Sequence, residues 1–167
     1  MPAPPIVSLN SIDPQPRPAE FEPQGAAAAR FGARFARIGP QLGLSKLGCN
    51  VTVVAPGKAA FPFHSHQAND ELFVILAGRG ELRLSSQRHP VAEGDVVGCP
   101  AGGADSAHQF VNTGEVELRY LAISTMVSPE ICEYPDSGKV GAYGGSPTAR
   151  TAHITRQADQ ADYWLGE

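Results

Sequence analysis

Four side chains of the types that bind transition metals lie close together in this sequence. His64, His66 and Glu71 fall within eight positions, and His108 follows further along the chain. Neutral imidazole nitrogen and carboxylate oxygen are ligands that suit Fe, Mn, Zn, Ni or Co. Three histidines and one glutamate therefore predict a site for one divalent transition metal ion, with these four residues as its ligands.

The spacing of the four residues also favours one shared site. Residues two apart in a strand point to the same face, so we expect His64 and His66 to face the same way. The residues 67–70 are of types that favour a turn, and Glu71 then begins an apolar run. A carboxylate just after a turn can return to the two imidazoles. Four protein ligands on an octahedral ion leave positions open for small molecules, as a catalytic site requires.

The order of these residues, with the glycines around them, resembles the two motifs of the cupin superfamily. The resemblance covers residues 42–127 approximately. The second motif is longer than usual, because five residues, 103–107, stand before its histidine, and we expect them to lengthen a hairpin. The first motif is carried by Gly57, His64, His66, Glu71 and Gly78, and the second by Gly94, Pro100, Gly102, His108 and Asn112.

This resemblance implies an all-β fold, the double-stranded β-helix or jelly-roll barrel. The phrases SKLGCN, NTGEVELRYLAIST and EYPDSGK are similar to those of small single-domain bacterial cupins that are labelled sugar-phosphate isomerases. Cupins commonly pair through sheet edges and exchanged terminal strands. The resemblance therefore also implies a homodimer.

The pattern of the rest of the chain favours many short strands. Turn signals recur every eight to twelve residues, which is typical of a sandwich or barrel. Residues 46–55 alternate and are rich in β-branched types, so they predict a strand. A strand at 60–66 contains Pro62, which indicates an edge position or a bulge. Residues 71–76 and 80–85 are expected to pair as a hairpin.

The chain is predicted to have a barrel with additions at both ends. Prolines keep the first residues extended, and an early strand is expected from Ala33 to Ile38. Residues 154–163 are expected to form a short helix or a loop, and Tyr163 and Trp164 to pack on the barrel or on a partner subunit. The predicted segments are an N-terminal arm with the early strand (1–40), the cupin barrel (41–127) and a C-terminal tail that packs on the barrel or on a partner subunit (128–167).

Composition argues against several classes of partner. The net charge of -4 and the pI near 5.7 argue against nucleic acid, because binding to phosphate backbones depends on clustered Lys and Arg. No apolar run approaches the ~20 residues of a membrane span, and the N-terminus lacks the regions of a signal peptide. Cys49, Cys99 and Cys132 are scattered and odd in number, which indicates reduced thiols and a cytoplasmic location.

Three functions are compatible with this ligand set. The first is a metal-dependent isomerase acting on a small polar metabolite such as a sugar phosphate, with the ion as Lewis acid. Lys58, Arg83 and Lys139 are the cations nearest to the motifs that could hold its phosphate. The second function is an Fe(II)-dependent dioxygenase, and the third is a non-catalytic cupin that binds a small ligand. The sequence identifies no catalytic acid or base and no cofactor-binding residue apart from the metal ligands.

Overall fold

The computed structural model describes residues 6–146 and 149–167, and strands are its dominant element. No helix among the described residues is long and apolar enough to cross a membrane. The helix and strands, in chain order, are α1 (Ala26–Arg30), β1 (Ala33–Arg37), β2 (Leu47–Val54), β3 (Ser65–His66), β4 (Glu71–Ala77), β5 (Arg79–Leu84), β6 (Gln87–Ala92), β7 (Val96–Cys99), β8 (His108–Val111), β9 (Leu118–Thr125), β10 (Glu130–Tyr134), β11 (Lys139–Ser146) and β12 (Ala149–Arg156). Short 3-10 turns lie at Leu9–Ser11, Ala19–Phe21, Gly39–Leu42, Ala104–Ser106, Pro135–Ser137 and Gln157–Asp159.

The strands form the two faces of a barrel. One face is the antiparallel sheet β1-β2-β9-β4-β7. The opposite face combines the sheet β12-β11-β10-β3 with the sheet β6-β5-β8, and these two meet where His64 and His108 form an isolated bridge. The predicted fold class, a double-stranded β-helix, is confirmed.

The chain passes from one face to the other at Gly78, between β4 and β5. Gly78 has a φ of +79°, and a Cβ there would clash with the carbonyl oxygen of Glu117. β4 pairs with β7 and β9, whereas β5 pairs with β6 and β8. The hairpin predicted from residues 71–76 and 80–85 is therefore wrong, because the glycine turns the backbone through a corner and each strand finds its partners in a different sheet.

Alternation along the strands sends a row of large apolar side chains into the space between the faces. Phe73 and Ile75 of β4 point inward, and Tyr120 of β9 stands opposite Ile75 in register. Phe110 and Leu82 approach from the other face, and all five side chains belong to one buried cluster. The rings of Phe73, Phe110 and Tyr120 contact one another at centroid distances between 4.8 and 5.8 Å. Burying a side chain of this kind stabilises the fold by roughly 1.5–3 kcal/mol.

Burial decreases along the inner face toward one end of the barrel. Leu118 and Tyr120 of β9 are almost fully buried, whereas Ala122 and Ser124, further along the same strand, are half-buried. Ser124 stands in register with Glu71, the first residue of β4. The barrel is thus closed at the level of Leu118 and open at the level of Glu71 and Ser124, and we call this open end the barrel mouth.

The segment that precedes Glu71 is less regular than a strand over residues 60–66. Regular strand is limited to Ser65–His66, and His64 adds an isolated bridge. Pro62 has no amide hydrogen to donate to a ladder, which explains why pairing fails around it. The irregularity agrees with the edge or bulge that this proline indicated.

Both ends of the chain add strands to the barrel. β1 confirms the early strand expected from Ala33 to Ile38, and β10 pairs with β3 beside the predicted ligands. β12 continues to Arg156 because β11 offers it a free edge, so the helix or loop predicted from residue 154 is wrong there. Tyr163 and Trp164 are 83% and 74% exposed and pack on each other, so they do not pack on the barrel, and their packing on a partner subunit stays a prediction. The division into three segments stays a prediction.

Asn112 ties the loop after β8 to the barrel, and its removal should destabilise the fold. Its buried amide donates to the carbonyl oxygens of Val54 and Val116, each at 2.8 Å, and its oxygen accepts from the N–H of Gly114 at 2.9 Å. Asn112→Ala should lower the free energy of unfolding by about 3 kcal/mol, because three backbone groups lose their partner. Denaturant unfolding measures the loss. The exposed Asn10→Ala is the control and should change stability by less than about 0.5 kcal/mol; equal losses in the two variants would contradict this role of Asn112.

Candidate metal centre

The four predicted ligands meet at the barrel mouth, although they come from separate strands. His64 and His66 lie at β3, Glu71 begins β4 on the opposite face, and His108 begins β8. The bridge between His64 and His108 brings β3 and β8 together. The fold therefore places all four side chains in one group, including both imidazoles that the two-residue spacing predicts on one face.

The donor atoms of this group gather around one carboxylate oxygen. One ligand atom from each of His64, His66 and Glu71 lies within 4.8 Å of the other two. Oε2 of Glu71 is 3.4 Å from Nε2 of His66 and 2.9 Å from Nε2 of His108. The ring centroids of His64 and His108 are 4.8 Å apart. These separations allow the four residues to bind one ion together.

His64 is held in the neutral form that binds metals. Its Nδ1 lies 2.9 Å from the carbonyl oxygen of Pro62. Because a carbonyl oxygen only accepts, Nδ1 carries the hydrogen and the lone pair of Nε2 is free. Burial, and after it the charge of His108, lowers the pKa of His64 to about 4. The imidazole is therefore unprotonated at neutral pH.

Glu71 and His108 form an oppositely charged pair in the metal-free site. Burial acts against the charged form of Glu71, but His108 and His66 outweigh it and hold the pKa of this carboxyl below its usual value. Burial likewise acts against the charged form of His108, but Cys99 and Glu71 raise its pKa to about 10. A proton on His108 thus balances the carboxylate when no ion is present.

The geometry of this pair leaves buried atoms unsatisfied. Among the described residues, Oε2 of Glu71 and both ring nitrogens of His108 lack a hydrogen-bond partner, because the contact between the two side chains does not have the direction of a hydrogen bond. A buried polar atom without a partner costs about 1–3 kcal/mol. An ion between the two side chains would satisfy them, and three imidazoles with one carboxylate suit a divalent transition metal. The residues present therefore fit the predicted cofactor.

A further row of functional side chains comes from β10, beyond the segment covered by the motif resemblance. Glu130, Cys132 and Tyr134 alternate along this strand and therefore share one face, which meets the predicted ligands. The ring of Tyr134 stacks on that of His64 with centroids 6.2 Å apart. Glu130 and Cys132 were not predicted from the sequence, because the pairing of β10 with β3 joins distant parts of the chain. Their alternation is the one local signal that points to a shared face.

His66 lies between the predicted ligand group and this second row. Its Nε2 faces Glu71, while its Nδ1 is 3.3 Å from Sγ of Cys132 and 3.8 Å from Oε2 of Glu130. Ligand atoms of His66, Glu130 and Cys132 also lie within 4.8 Å of one another. A carboxylate near Nδ1 favours a hydrogen on that nitrogen and leaves the lone pair of Nε2 for a metal. Glu130 is therefore placed on the Nδ1 side of His66, where it can hold the ring with Nε2 directed toward Glu71.

The five residues 103–107 of the second motif form a compact turn. Ala104–Ser106 is a 3-10 turn, closed by a hydrogen bond from the hydroxyl of Ser106 to the carbonyl oxygen of Gly103 at 2.9 Å. The lengthened hairpin expected for residues 103–107 is therefore wrong. The local hydrogen bond takes up the additional length before His108.

Comparison with known proteins identifies the family. The model of the cupin domain matches residues 50–124, which include all four predicted ligands. The chain thus carries a cupin domain at these residues, and its double-stranded β-helix agrees with the cupin superfamily. Among curated relatives, protein SchB of Streptomyces halstedii is 32% identical over 99 residues, which is 59% of this chain and 66% of SchB. The chain spans about half to two thirds of the length of the curated relatives it matches.

Two solved structures resemble almost the whole chain. A protein of Acidithiobacillus ferrooxidans, provisionally named a sugar phosphate isomerase, has a TM-score of 0.77 at 21% identity and covers 95% of this chain and 96% of its own. A cupin-superfamily protein of Silicibacter pomeroyi, named a sugar phosphate isomerase, has a TM-score of 0.76 at 26% identity and covers 93% and 94%. The first comparison shows the fold alone. Both extend past the cupin domain into the terminal segments.

Glu130 should matter for metal affinity even though it is not among the predicted ligands. Glu130→Gln removes the charge that favours a hydrogen on Nδ1 of His66, and we expect metal affinity to fall by about 10- to 100-fold. Competition with a chelator measures the affinity. Glu133→Gln is the matched control, because Glu133 points to the other side of β10 and accepts a hydrogen bond from Gln67. Equal affinities of Glu130→Gln and the unmodified protein would exclude this role.

Metal affinity should also depend on pH. Below about pH 10, His108 in the metal-free site carries a proton that an incoming ion must displace. Apparent affinity should therefore rise between about pH 6 and 8, by up to about tenfold per pH unit.

The stability of the metal-free protein should change in the opposite direction. The contribution of charged His108 is complete below its unfolded pKa of ~6.5 and is lost as pH rises through about 10. Chelator competition and thermal unfolding over one pH series test both trends. An affinity that stays constant with pH would show that no proton is displaced from His108.

Proposed function

We propose that this protein is a metal-dependent isomerase of a small polar metabolite such as a sugar phosphate. One divalent transition metal ion, from the set Fe, Mn, Zn, Ni and Co, is held by His64, His66, Glu71 and His108. The observation that carries the proposal is the convergence of His64, His66 and Glu71, with His108 in contact with Glu71, around buried atoms that lack hydrogen-bond partners among the described residues. The name of the Silicibacter pomeroyi structure, at 26% identity, supports the reaction class.

Two features of the site support sugar isomerisation. A bound divalent ion supplies Lewis acidity toward the hydroxyl and carbonyl oxygens of an aldose or ketose. Isomerisation moves one proton between C1 and C2 and another from the hydroxyl to the carbonyl oxygen, so it needs no electron donor or acceptor. Phe73 and Tyr120 close the barrel beneath the site and exclude water from that side.

Two phenol groups beside the site provide a proton donor. The hydroxyl oxygens of Tyr134 and Tyr143 are 2.6 Å apart, so one donates to the other. Burial, and after it the contact with Tyr143, raises the pKa of Tyr134, which therefore keeps its proton at neutral pH. Because its ring stacks on His64, we propose that Tyr134 delivers a proton to a substrate oxygen at the barrel mouth.

The proposed setting is a homodimer in the cytoplasm that takes a small-molecule substrate and binds neither nucleic acid nor membranes. Cys49, Cys99 and Cys132 are free thiols, which supports a reducing compartment. Tyr163 and Trp164, both largely exposed, present apolar surface near the end of the described chain, and such surface supports pairing with a second subunit.

Metal content provides the first test of the proposal. Elemental mass spectrometry on untagged protein should find about one ion per chain, because the residues form one four-ligand site. The double variant His64→Ala/His108→Ala should lose the ion. The matched control is His89→Ala/His153→Ala, which removes two exposed histidines and should keep it. Equal metal content in the two double variants would contradict the assignment of the ligands.

Isomerase activity is then tested on the metal-loaded protein with aldose and ketose phosphates in deuterated water. Appearance of the isomer with deuterium next to the carbonyl carbon, detected by proton NMR, is the expected result. The ligand variant should lose this exchange and the control should retain it. Oxygen uptake without isomer would instead support the dioxygenase, and tight binding without any turnover would support a binding protein.

A further inference from the structure

Two of the three cations nearest to the motifs are engaged in polar contacts within the described residues. Nζ of Lys58 donates to two carbonyl oxygens of α1, at 3.0 and 2.8 Å. Arg83 forms a two-pronged ion pair with Asp136, at 2.7 and 2.9 Å. Nζ of Lys139 lies over the ring of Tyr134 at 5.6 Å. Lys58 and Arg83 therefore have no donor directed at a substrate anion, and the N-terminal arm supplies a further cation.

Arg17, in the N-terminal arm, is held in place by two aromatic rings. Its guanidinium carbon lies 4.6 Å from the ring centroid of Phe35 and 4.9 Å from that of Phe61. The two rings are themselves 5.1 Å apart. The arm is fixed at this point by Gln15, whose backbone bridges Phe35 of β1. The guanidinium is thus positioned by stacking, which leaves its N–H groups free to bind.

The guanidinium of Arg17 makes no hydrogen bond and no ion pair within the described part of the chain. Its side chain is nevertheless half-buried, and burial lowers its pKa, while the charges of Glu22 and Tyr120 act in the opposite direction. Arginine stays charged in proteins, so a partly desolvated cation with five N–H donors lacks a counter-anion in contact. Such a group is a ready site for an oxyanion, which the fork of N–H groups binds through two parallel hydrogen bonds.

Strand register places Arg17 on the inner side of the barrel. Phe35 stands opposite Thr52, and Thr52 stands opposite Tyr120, so these three side chains share the inner face with the core. Arg34, next to Phe35, points outward and pairs with Glu117 at 2.7 Å. The ring of Phe35 that carries Arg17 therefore belongs to the inner layer.

The next inward-facing residues of β1, β2 and β9 lie closer to the predicted metal ligands. Arg37 pairs with Asn50, and Asn50 pairs with Ala122, so both polar side chains lie on the inner face one step nearer to the level of Glu71. Arg37 is exposed, Asn50 is half-buried, and neither side chain has a hydrogen-bond partner among the described residues. Arg37 and Asn50 therefore lie one register step nearer to the barrel mouth than Phe35, which carries Arg17, and we call these three polar residues the arginine wall.

The arginine wall lies within reach of a substrate bound at the predicted metal ligands. The ring centroid of Phe61 is 6.1 Å from that of His64, and the guanidinium carbon of Arg17 is 4.9 Å from the same Phe61 centroid. The guanidinium is therefore separated from the imidazole by at most the sum of these two steps. A pentose or hexose phosphate spans a distance of this order between its carbonyl end and its phosphate.

We propose that Arg17, supported by Arg37 and Asn50, binds an oxyanion at the far end of the substrate, a phosphoryl or carboxylate group. This inference rests on the proposed function, because it names the substrate class of the same site: an anionic sugar with its carbonyl end at His64, His66, Glu71 and His108. The N-terminal arm thereby selects charged sugars against neutral ones.

Matched pairs of ligands test this selection by titration calorimetry on the metal-loaded protein at constant ionic strength. Glucose 6-phosphate and glucuronate are each compared with glucose, and ribose 5-phosphate with ribose. At least one anionic sugar should bind about tenfold or more tightly than its neutral counterpart, and Arg17→Gln should abolish this advantage. Arg17→Lys should keep part of it, because the charge remains but the fork and the stacking are lost. The two hexose arms show whether the phosphoryl or the carboxylate group is preferred.

Arg79→Gln is the matched control, because it makes the same change of charge at an exposed position away from the site. Arg79 is the first residue of β5, whereas the last residue of this strand stands opposite His108. It should retain the advantage, and thermal unfolding confirms that both variants are folded. The proposal is overturned if Arg17→Gln retains the advantage, since the anion would then bind the metal ion directly. Equal affinity for charged and neutral sugars, or no binding of any of them, would also overturn it.

Turnover separates this inference from the proposed function. Binding that depends on Arg17, without isomer formation, would leave the oxyanion site standing and remove the isomerase. Isomer formation with an unchanged preference in Arg17→Gln would leave the isomerase standing and remove the oxyanion site.

Discussion

The burial of Glu71 beside three imidazoles is the constraint on which the rest of the site depends. The register of β4 with β9 sets the carboxylate at the barrel mouth, just above the aromatic layer of the core. The ring of Phe73 in that layer contacts the ring of His108 at 5.6 Å, so the ligand rests directly on the packed interior. A buried carboxylate needs compensation, and an imperfectly aligned imidazolium provides it only in part. A divalent cation held by the predicted ligands would complete this compensation.

The segments at both ends of the chain add side chains to the site that the barrel forms. β10 supplies Glu130, Cys132 and Tyr134 from one side, and the N-terminal arm supplies Arg17 from the other. The barrel carries the four predicted ligands, whereas the added segments carry Tyr134, the proposed proton donor, and Arg17, the proposed anion-binding cation. The proposed reaction would use the metal ligands at one end of the sugar and the cation at the other end. Correct orientation of the substrate accounts for much of the rate of such a reaction.

Sequence patterns predicted those parts of the site whose geometry is local. The positions of His64, His66 and Glu71 follow from strand alternation and one turn, and the barrel followed from short strands and the motif resemblance. Other features depend on pairing between distant residues. Cys132 reaches His66 through a strand pair across 66 positions, and Arg17 reaches the inner layer because its arm bridges β1. The corner at Gly78 was missed for a related reason, since two adjacent apolar runs look like a hairpin unless their partners are known.

The predicted ligands in the barrel and Arg17 in the N-terminal arm are held in place by different kinds of contact. The ligand group is fixed by sheet registers, in which each strand is held by many backbone hydrogen bonds, so its geometry tolerates little change. Arg17 is held by two rings and by a single backbone bridge between Gln15 and Phe35, so its position depends on a few contacts. Changes in the arm can alter the charge at the far end of the barrel mouth without disturbing the ligands. A half-buried guanidinium without a partner is costly in the free protein, and an anionic substrate offsets that cost only on binding. In the proposed role of Arg17, its desolvation favours substrates with an oxyanion over neutral sugars of the same shape.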